Sequence, residues 1–307
     1  MGYRGNVVLF GACGFIGKNL MESLYRYDYS IVAVDKVTKN CGPNLASGIT
    51  LIEGDVLNFD FVLNILETYN PQGVVHLVGL PHIPTCENNP HESYYANVLS
   101  VHNVLEAMRK LSIERIVFTS TGAVYGSPSD RPISENYNTI PQSIYGWHKL
   151  QAEMEIKAYA TRYHLKGVIL RLFNVYGNKP GIGRDVVSIF TWRIMNKMPV
   201  VINGPRKFRD FVYVHDVAKA IQKSLEINLD NEYEVINIGT GIKTTLLDLA
   251  RKIQELVGER TDVITKEDPF DGTGYYADNS KMKKLLGFNP MTLDDGLKKY
   301  LKEVVNH

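Results

Sequence analysis

The chain has 307 residues, enough for one large α/β domain or two unequal ones. Its 34 basic and 33 acidic side chains leave a formal charge of +1, so no global field draws in nucleic acid or an anionic membrane, and any anion must be bound locally. No apolar run is long enough to span a bilayer, the N-terminus has no export-signal pattern, and Cys13, Cys41 and Cys86 form neither a CxxC pair nor an even set. These features lead to the expectation of a cytoplasmic protein with no disulfide framework and no metal knot.

Residues 6–10 (NVVLF) form a short apolar run that stops at glycine, and an amphipathic stretch follows over 15–27. That is strand, turn, helix. The alternation continues with strands expected at 30–35, 50–53, 73–77 and 115–120, and helices at 59–69 and 91–111. A helix over 145–163 then leads to a strand over 167–173. Strands this rich in Val and Ile are covered on both faces, which predicts a Rossmann-type, doubly wound parallel sheet.

After about residue 176 Gly and Pro become frequent and the pattern loosens into a smaller α/β C-terminal lobe. Residues 216–226 and 245–257 again read as helices, with a strand at 235–239 between them. The expected division is residues 1–176 as the cofactor domain, with returning segments near 210–240. Residues 177–307 then form mainly the substrate lobe.

Gly11-Ala12-Cys13-Gly14-Phe15-Ile16-Gly17 spaces three glycines between a strand and a helix. In that setting the first allows a sharp turn, the second lets backbone N–H groups approach a pyrophosphate, and the third lets helix and strand pack closely. Asp35 ends the second strand, where a carboxylate accepts hydrogen bonds from the adenosine ribose and repels a 2′-phosphate. The cofactor expected is therefore NAD rather than NADP, although Lys36 is adjacent. Asp55 and Val56 follow the third strand, near where the adenine amino group would sit.

Tyr145-Gly-Trp-His-Lys149 puts a phenol and an ammonium one helical turn apart. A free tyrosine ionises near pH 10, about three units too high for a base at neutrality, and a neighbouring cation favours the phenolate. The helix follows the strand ending at Ser120, at the carboxyl edge of the sheet where doubly wound folds bind ligands.

The glycine turn, GDV at 54–56, HLVG at 76–79, VFTSTGAVYG at 117–126, YGWHK at 145–149, RLFNVYG at 171–177, FRDFVYVHD at 208–216 and NIGTG at 237–241 occur in that order. With these motifs the chain resembles the extended short-chain dehydrogenase/reductases, specifically their nucleotide-sugar epimerase/dehydratase group, over nearly its whole length. The resemblance implies catalysis by Tyr145, Lys149 and Thr121, with Thr121 also touching substrate. It implies cofactor contacts from Gly11, Gly14, Phe15, Ile16 and Gly17 at the first turn, with Asp35, Lys36, Asp55 and Val56 beyond it. Further contacts are implied for Leu77, Val78, Gly79, Asn97, Ser120, Tyr145 and Lys149. Asn174 and Arg209 are implied to face a nucleotide-diphosphate sugar, the arginine on phosphate, where its planar fork suits a bidentate contact. A homodimer through the helices holding 91–111 and Tyr145 is implied as well.

Relatives that eliminate water or decarboxylate carry acids just after the catalytic hydroxyl, where this chain has Gly122 and Ala123. The reading that follows is a UDP-glucose 4-epimerase-like reaction through a transient 4-keto sugar. A nucleotide-sugar 4-dehydrogenase or 4-keto reductase is the second reading, and a non-catalytic NAD(H) sensor a third. One departure stands out. Where relatives supply a second phosphate-binding arginine this chain has Asp268 and Asp271, and Arg206 or Lys207 could compensate. His76, His82 and His91 lack metal-ligand spacing and are expected in packing or loops.

Overall fold

The computed structural model describes residues 5–42, 45–126, 131–177, 185–268 and 271–305. The chain forms two compact units: Met1–Ser127 with Asn138–Arg171 and Ala218–Ile236, and Pro128–Tyr137 with Leu172–Val217 and Asn237–His307.

The first unit is built on a seven-stranded, mostly parallel sheet. Its strands are β1 (Gly5–Phe10), β2 (Tyr29–Asp35), β3 (Ile49–Glu53), β4 (Gly73–His76), β5 (Arg115–Thr121), β6 (Lys166–Leu172) and β7 (Tyr233–Ile238). They lie in the order β7-β6-β5-β4-β1-β2-β3. Because β1 pairs in parallel with both β2 and β4, the strand order reverses beside β1. The crevice at that reversal is where doubly wound sheets accept ligands. The apolar runs are buried as their composition requires: Val8, Leu9 and Phe10 are fully enclosed.

Helix α1 (Phe15–Arg26) buries Gly17, Leu20, Met21 and Leu24, one stripe at helical spacing. Helix α2 (Phe59–Tyr69) starts at Asn58, whose side chain accepts from the Phe61 N–H, and stops where Asn70 turns left-handed.

The stretch expected as one helix over 91–111 is not uniform. It runs as Pro90–Tyr94, a π-helical turn over Tyr95–Leu99, and α3 (Ser100–Leu111). π turns rotate the residues they contain relative to the flanking α-helix, and this one turns Asn97 into the interior, where it is fully buried. A helix over Ile83–Asn88 was not expected from the periodicity.

Helix α4 (Ile144–Tyr163) begins at Ser143, whose hydroxyl accepts from the Gly146 N–H. Its buried stripe includes Lys149 and Glu153, two charged residues on an inward face.

The second unit contains short strand pairs and helices. Asn174–Tyr176 pairs in parallel with Phe211–Tyr213, and Val200–Asn203 with Val263–Lys266. Phe208–Arg209 is flanked by Thr244–Thr245 and Gly274–Tyr275. Asp210 ties these pieces together, since its buried carboxylate accepts from Thr240 N, Thr240 Oγ1, Gly241 N and Ala277 N. This web keeps 210–217 and 237–240 in the second unit, and the returning segment of the first unit is the narrower 218–236.

The expectation that the cysteines form no disulfide is corrected by the structure. Cys13 and Cys41 are bonded, 28 residues apart in sequence, and only Cys86 is a free thiol among the described cysteines. Spacing motifs test for local pairs, whereas this pair is joined by strand order. β2 lies beside β1, so the segment after β2 passes the turn after β1. No helix among the described residues is long and apolar enough to cross a membrane.

Candidate active site

A cleft of about 320 Å³ opens at the carboxyl ends of β1, β2, β3 and β4. It is lined at the first turn by Gly11 and Gly14, after β2 by Asp35 and Lys36, and after β3 by Asp55 and Val56. Leu77, Val78 and Gly79 close the side after β4. These nine expected cofactor residues are thus brought together from four chain segments. Phe15, Ile16, Gly17, Asn97, Ser120, Tyr145 and Lys149 do not line this cleft.

The cleft suits a dinucleotide on several grounds. Gly11 has φ +85°, and a Cβ there would lie 2.9 Å from Val78 N, so only glycine leaves the floor open. At the start of α1, Gly14 supplies no capping side chain and the first turn holds no acid. That leaves a helix N-terminus suited to an anionic pyrophosphate.

Asp35 is anchored with Oδ2 accepting from Cys13 N at 2.9 Å and Oδ1 from Val37 N at 3.1 Å. Lys36, the one residue that argued for a 2′-phosphate, is paired with Asp55 at 2.8 Å, which raises its pKa through the hydrogen bond and the charge. Asp55 also accepts from Leu57 N, and Asn103 Nδ2 donates to the Val56 and Leu57 carbonyls beneath it.

Deeper in the first unit lie the residues expected to be catalytic. Lys149 is buried, its ammonium 4.0 Å from the centre of the Phe118 ring on β5. A Cβ added to Gly79 would sit 2.8 Å from Asn97 Oδ1 and 3.9 Å from Lys149 Nζ, so the HLVG turn, the π turn and α4 converge there. Asn97 is fixed by the HLVG segment, accepting from Leu80 N and donating to Leu80 O and Ser93 Oγ.

Tyr145 is half-buried, one turn before Lys149. Thr121 ends β5, and its hydroxyl accepts from Ala123 N, capping the short turn Gly122–Tyr125.

Burial pushes the Lys149 ammonium down to about 7, and the Glu153 carboxylate opposes that shift. His76, at the end of β4, is held neutral, pushed down to about 3 by burial and then by the Lys149 charge. Below Lys149, Glu153 is fully buried and accepts from Ser120 Oγ, Arg171 Nε and Arg171 Nη2. Arg171 also stacks on the Tyr125 ring at 4.8 Å.

Sequence reasoning passed over Glu153 and Arg171. Their signal was present: Glu153 is four residues beyond Lys149 on the same face, and Arg171 opens RLFNVYG.

In the second unit, Arg209 donates to Phe208 O and stacks on Tyr275 at 5.3 Å. Among the described residues it makes no ion pair with Asp210 or Asp216. Asn174 donates its N–H to Asp210 O, and its Oδ1 is buried with no hydrogen-bond partner among the described residues. An orphaned buried amide oxygen is uncommon and marks a place where a ligand group can be received.

The acids at 268 and 271 are neutralised locally, Asp268 by Lys207 at 2.7 Å and Asp271 by Arg206 at 2.9 Å. Each of the two acids is therefore paired with one of the two basic residues at 206 and 207.

The NAD dependent epimerase/dehydratase family model matches residues 7–239, and the chain belongs to that family. It is an NAD-dependent sugar-nucleotide epimerase or oxidoreductase. A Methanocaldococcus jannaschii protein with a provisional UDP-glucose 4-epimerase assignment is 34% identical over 98% of this chain and 97% of its own. The Escherichia coli dTDP-4-dehydro-6-deoxyglucose reductase is 28% identical over 98% of each chain. The crystal structure of Thermotoga maritima UDP-glucose 4-epimerase with UDP-glucose superposes with a TM-score of 0.90 at 29% identity, covering 98% of this chain and 99% of the other.

Proposed function

We propose that the chain interconverts the C4 epimers of a UDP-hexose through a transient 4-keto sugar. The observation that carries the reading is the buried Lys149 one turn beyond Tyr145, beside the Leu77–Gly79 edge of the dinucleotide cleft. Tyr145 removes the C4 hydroxyl proton as phenolate, and the Lys149 ammonium favours that ionised form. Thr121 holds the same hydroxyl.

Bound NAD supplies the two-electron acceptor and donor for C4. Tyr145 returns the proton after the ketone has turned over in the site. Gly11, Gly14 and the N-terminus of α1 hold the pyrophosphate, and Asp35 the adenosine ribose. Arg209 and Asn174 are the proposed partners of the substrate diphosphate and sugar.

Gly122 and Ala123 offer no proton donor or acceptor side chain beside Thr121, which favours epimerisation over elimination of water. The resemblance to the Escherichia coli reductase supports a second reading, net reduction of a 4-keto sugar. A panel of UDP-, dTDP-, GDP- and CDP-hexoses separates the two. Epimerisation yields the C4 epimer of a UDP-sugar with no change in nicotinamide absorbance, whereas stoichiometric consumption or release of NADH contradicts it.

Exposed Tyr94, Tyr95, Trp147 and Met154 on the helices near the site support association as a homodimer through that face.

The proton balance of the pair makes a pH prediction. Lys149 is faced by Glu153 on its own helix, by His76 from β4 and by the Phe118 ring from β5. Loss of one proton from Tyr145 and Lys149 together gives two tautomers, phenol with amine or phenolate with ammonium, whose ratio does not vary with pH. Activity requires the second. kcat/KM is therefore expected to rise with pH through a midpoint of about 7 and then level off. Lys149→Met moves that midpoint toward the free phenol value of about 10. A midpoint unchanged in Lys149→Met contradicts the coupling.

A further inference from the structure

The disulfide between Cys13 and Cys41 lies at the cofactor cleft. Cys13 is the third residue of the glycine turn, and its N–H holds Asp35 Oδ2. Cys41 ends the short helical turn Thr38–Cys41 that follows β2. The bond thus joins the pyrophosphate turn to the loop beyond the ribose-binding carboxylate, with Cα atoms 4.5 Å apart. Otherwise this loop is held mainly by surface contacts, Thr38 with Glu53 and Lys36 with Asp55. Such exposed contacts are weak, because water competes for their partners and salt screens the charges.

We propose that this bond is a thiol–disulfide control on dinucleotide affinity, resting on the assignment of the cleft to NAD. In the oxidised protein the turn and the loop are one pre-organised piece, so binding does not have to order them. In the reduced protein the loop is free to leave, and the dinucleotide must order it.

The sulfurs are not equally accessible. Cys13 is only 6% exposed, whereas Cys41 is half-buried, so an attacking thiolate reaches Cys41. A dithiol reductant supplies the two electrons. One of its thiolates bonds to Cys41 Sγ as the Cys13–Cys41 bond breaks, and Cys13 leaves as a thiolate that takes a proton. The second dithiol sulfur then displaces Cys41, which is protonated in turn. The products are two protein thiols and one oxidised dithiol. Cys13 adjoins the N-terminus of α1, a position that eases departure of a thiolate. Cys86 is outside this exchange, buried and donating to Leu80 O.

NADH fluorescence titration of the full chain tests the proposal, before and after dithiothreitol and again after reoxidation, with thiols counted by mass spectrometry. The expected result is one free thiol in the oxidised protein and three after reduction. The NADH dissociation constant should rise about fivefold or more on reduction and return on reoxidation. Cys41→Ser should bind as weakly as the reduced protein, insensitive to dithiothreitol, with an unchanged far-UV spectrum. Equal affinity in the two states, or three free thiols after oxidant treatment, overturns the proposal. An oxidised protein that binds no NADH at all overturns the cofactor assignment beneath it instead.

Discussion

Tyr145→Phe is expected to lower kcat for UDP-hexose epimerisation by about 10²- to 10⁴-fold, the usual worth of a positioned general acid–base. NADH affinity and melting temperature should stay within error. The substitution removes one oxygen from a half-buried ring at the start of α4 and leaves the Ser143 cap and the Lys149 stripe intact. What disappears is the group proposed to carry the C4 hydroxyl proton in both directions.

The control is Trp147→Ala, which truncates an exposed side chain two residues along the same helix and is expected to leave the monomer's chemistry intact. Epimer formation measured by chromatography checks both. A kcat within threefold of the parent protein for Tyr145→Phe would remove Tyr145 from the chemistry.

Glu153→Ala is expected to destabilise the fold by about 3–5 kcal/mol, because it strips a buried arginine of its counter-charge. Glu153 and Arg171 are both nearly inaccessible, and two of their contacts are 2.7 and 3.0 Å long. Without the carboxylate, buried Arg171 loses its charged partner and the Ser120 hydroxyl loses that acceptor. Lys149, one turn back, loses the charge that offsets its desolvation.

The paired replacement Glu153→Leu with Arg171→Met should recover most of the loss, since well-packed apolar groups often replace buried ion pairs at little cost. Urea unfolding of the single and double variants measures the difference. A loss under about 1 kcal/mol in Glu153→Ala would mean that water or another cation replaces the missing partner.

The parallel sheet was legible because its signals are local. Apolar runs of four to seven residues alternate with one-sided helices, so alternation alone predicts the doubly wound order. The residues that line the cleft were legible for a related reason: most sit at the end of a strand whose own pattern marks where it stops. Asp35 at the end of β2 and Gly11 after β1 need no knowledge of the rest of the chain.

What was not legible depends on contacts between distant segments. Cys13 and Cys41 meet because β1 and β2 are neighbours, which no cysteine count reveals. The π turn that buries Asn97 interrupts a helix whose composition gives no sign of it. The charge exchange of Arg206 and Lys207 with Asp271 and Asp268 joins segments about sixty residues apart, and in sequence each half looked like a defect. Lys149 could have been an exposed helical lysine. Only the fold turns it inward, where burial brings its proton affinity to about neutrality.

The central chemistry is tested most directly by tracing the hydrogen on C4. UDP-glucose carrying deuterium at that carbon is incubated with the NAD-loaded enzyme, and the product is analysed by mass spectrometry and proton NMR. The expected product is UDP-galactose with the deuterium still on C4 and no NADH accumulating in solution, while Tyr145→Phe yields almost none. Exchange of the label with water, or equal turnover by Tyr145→Phe, would contradict oxidation and return at C4 through the Tyr145 phenolate.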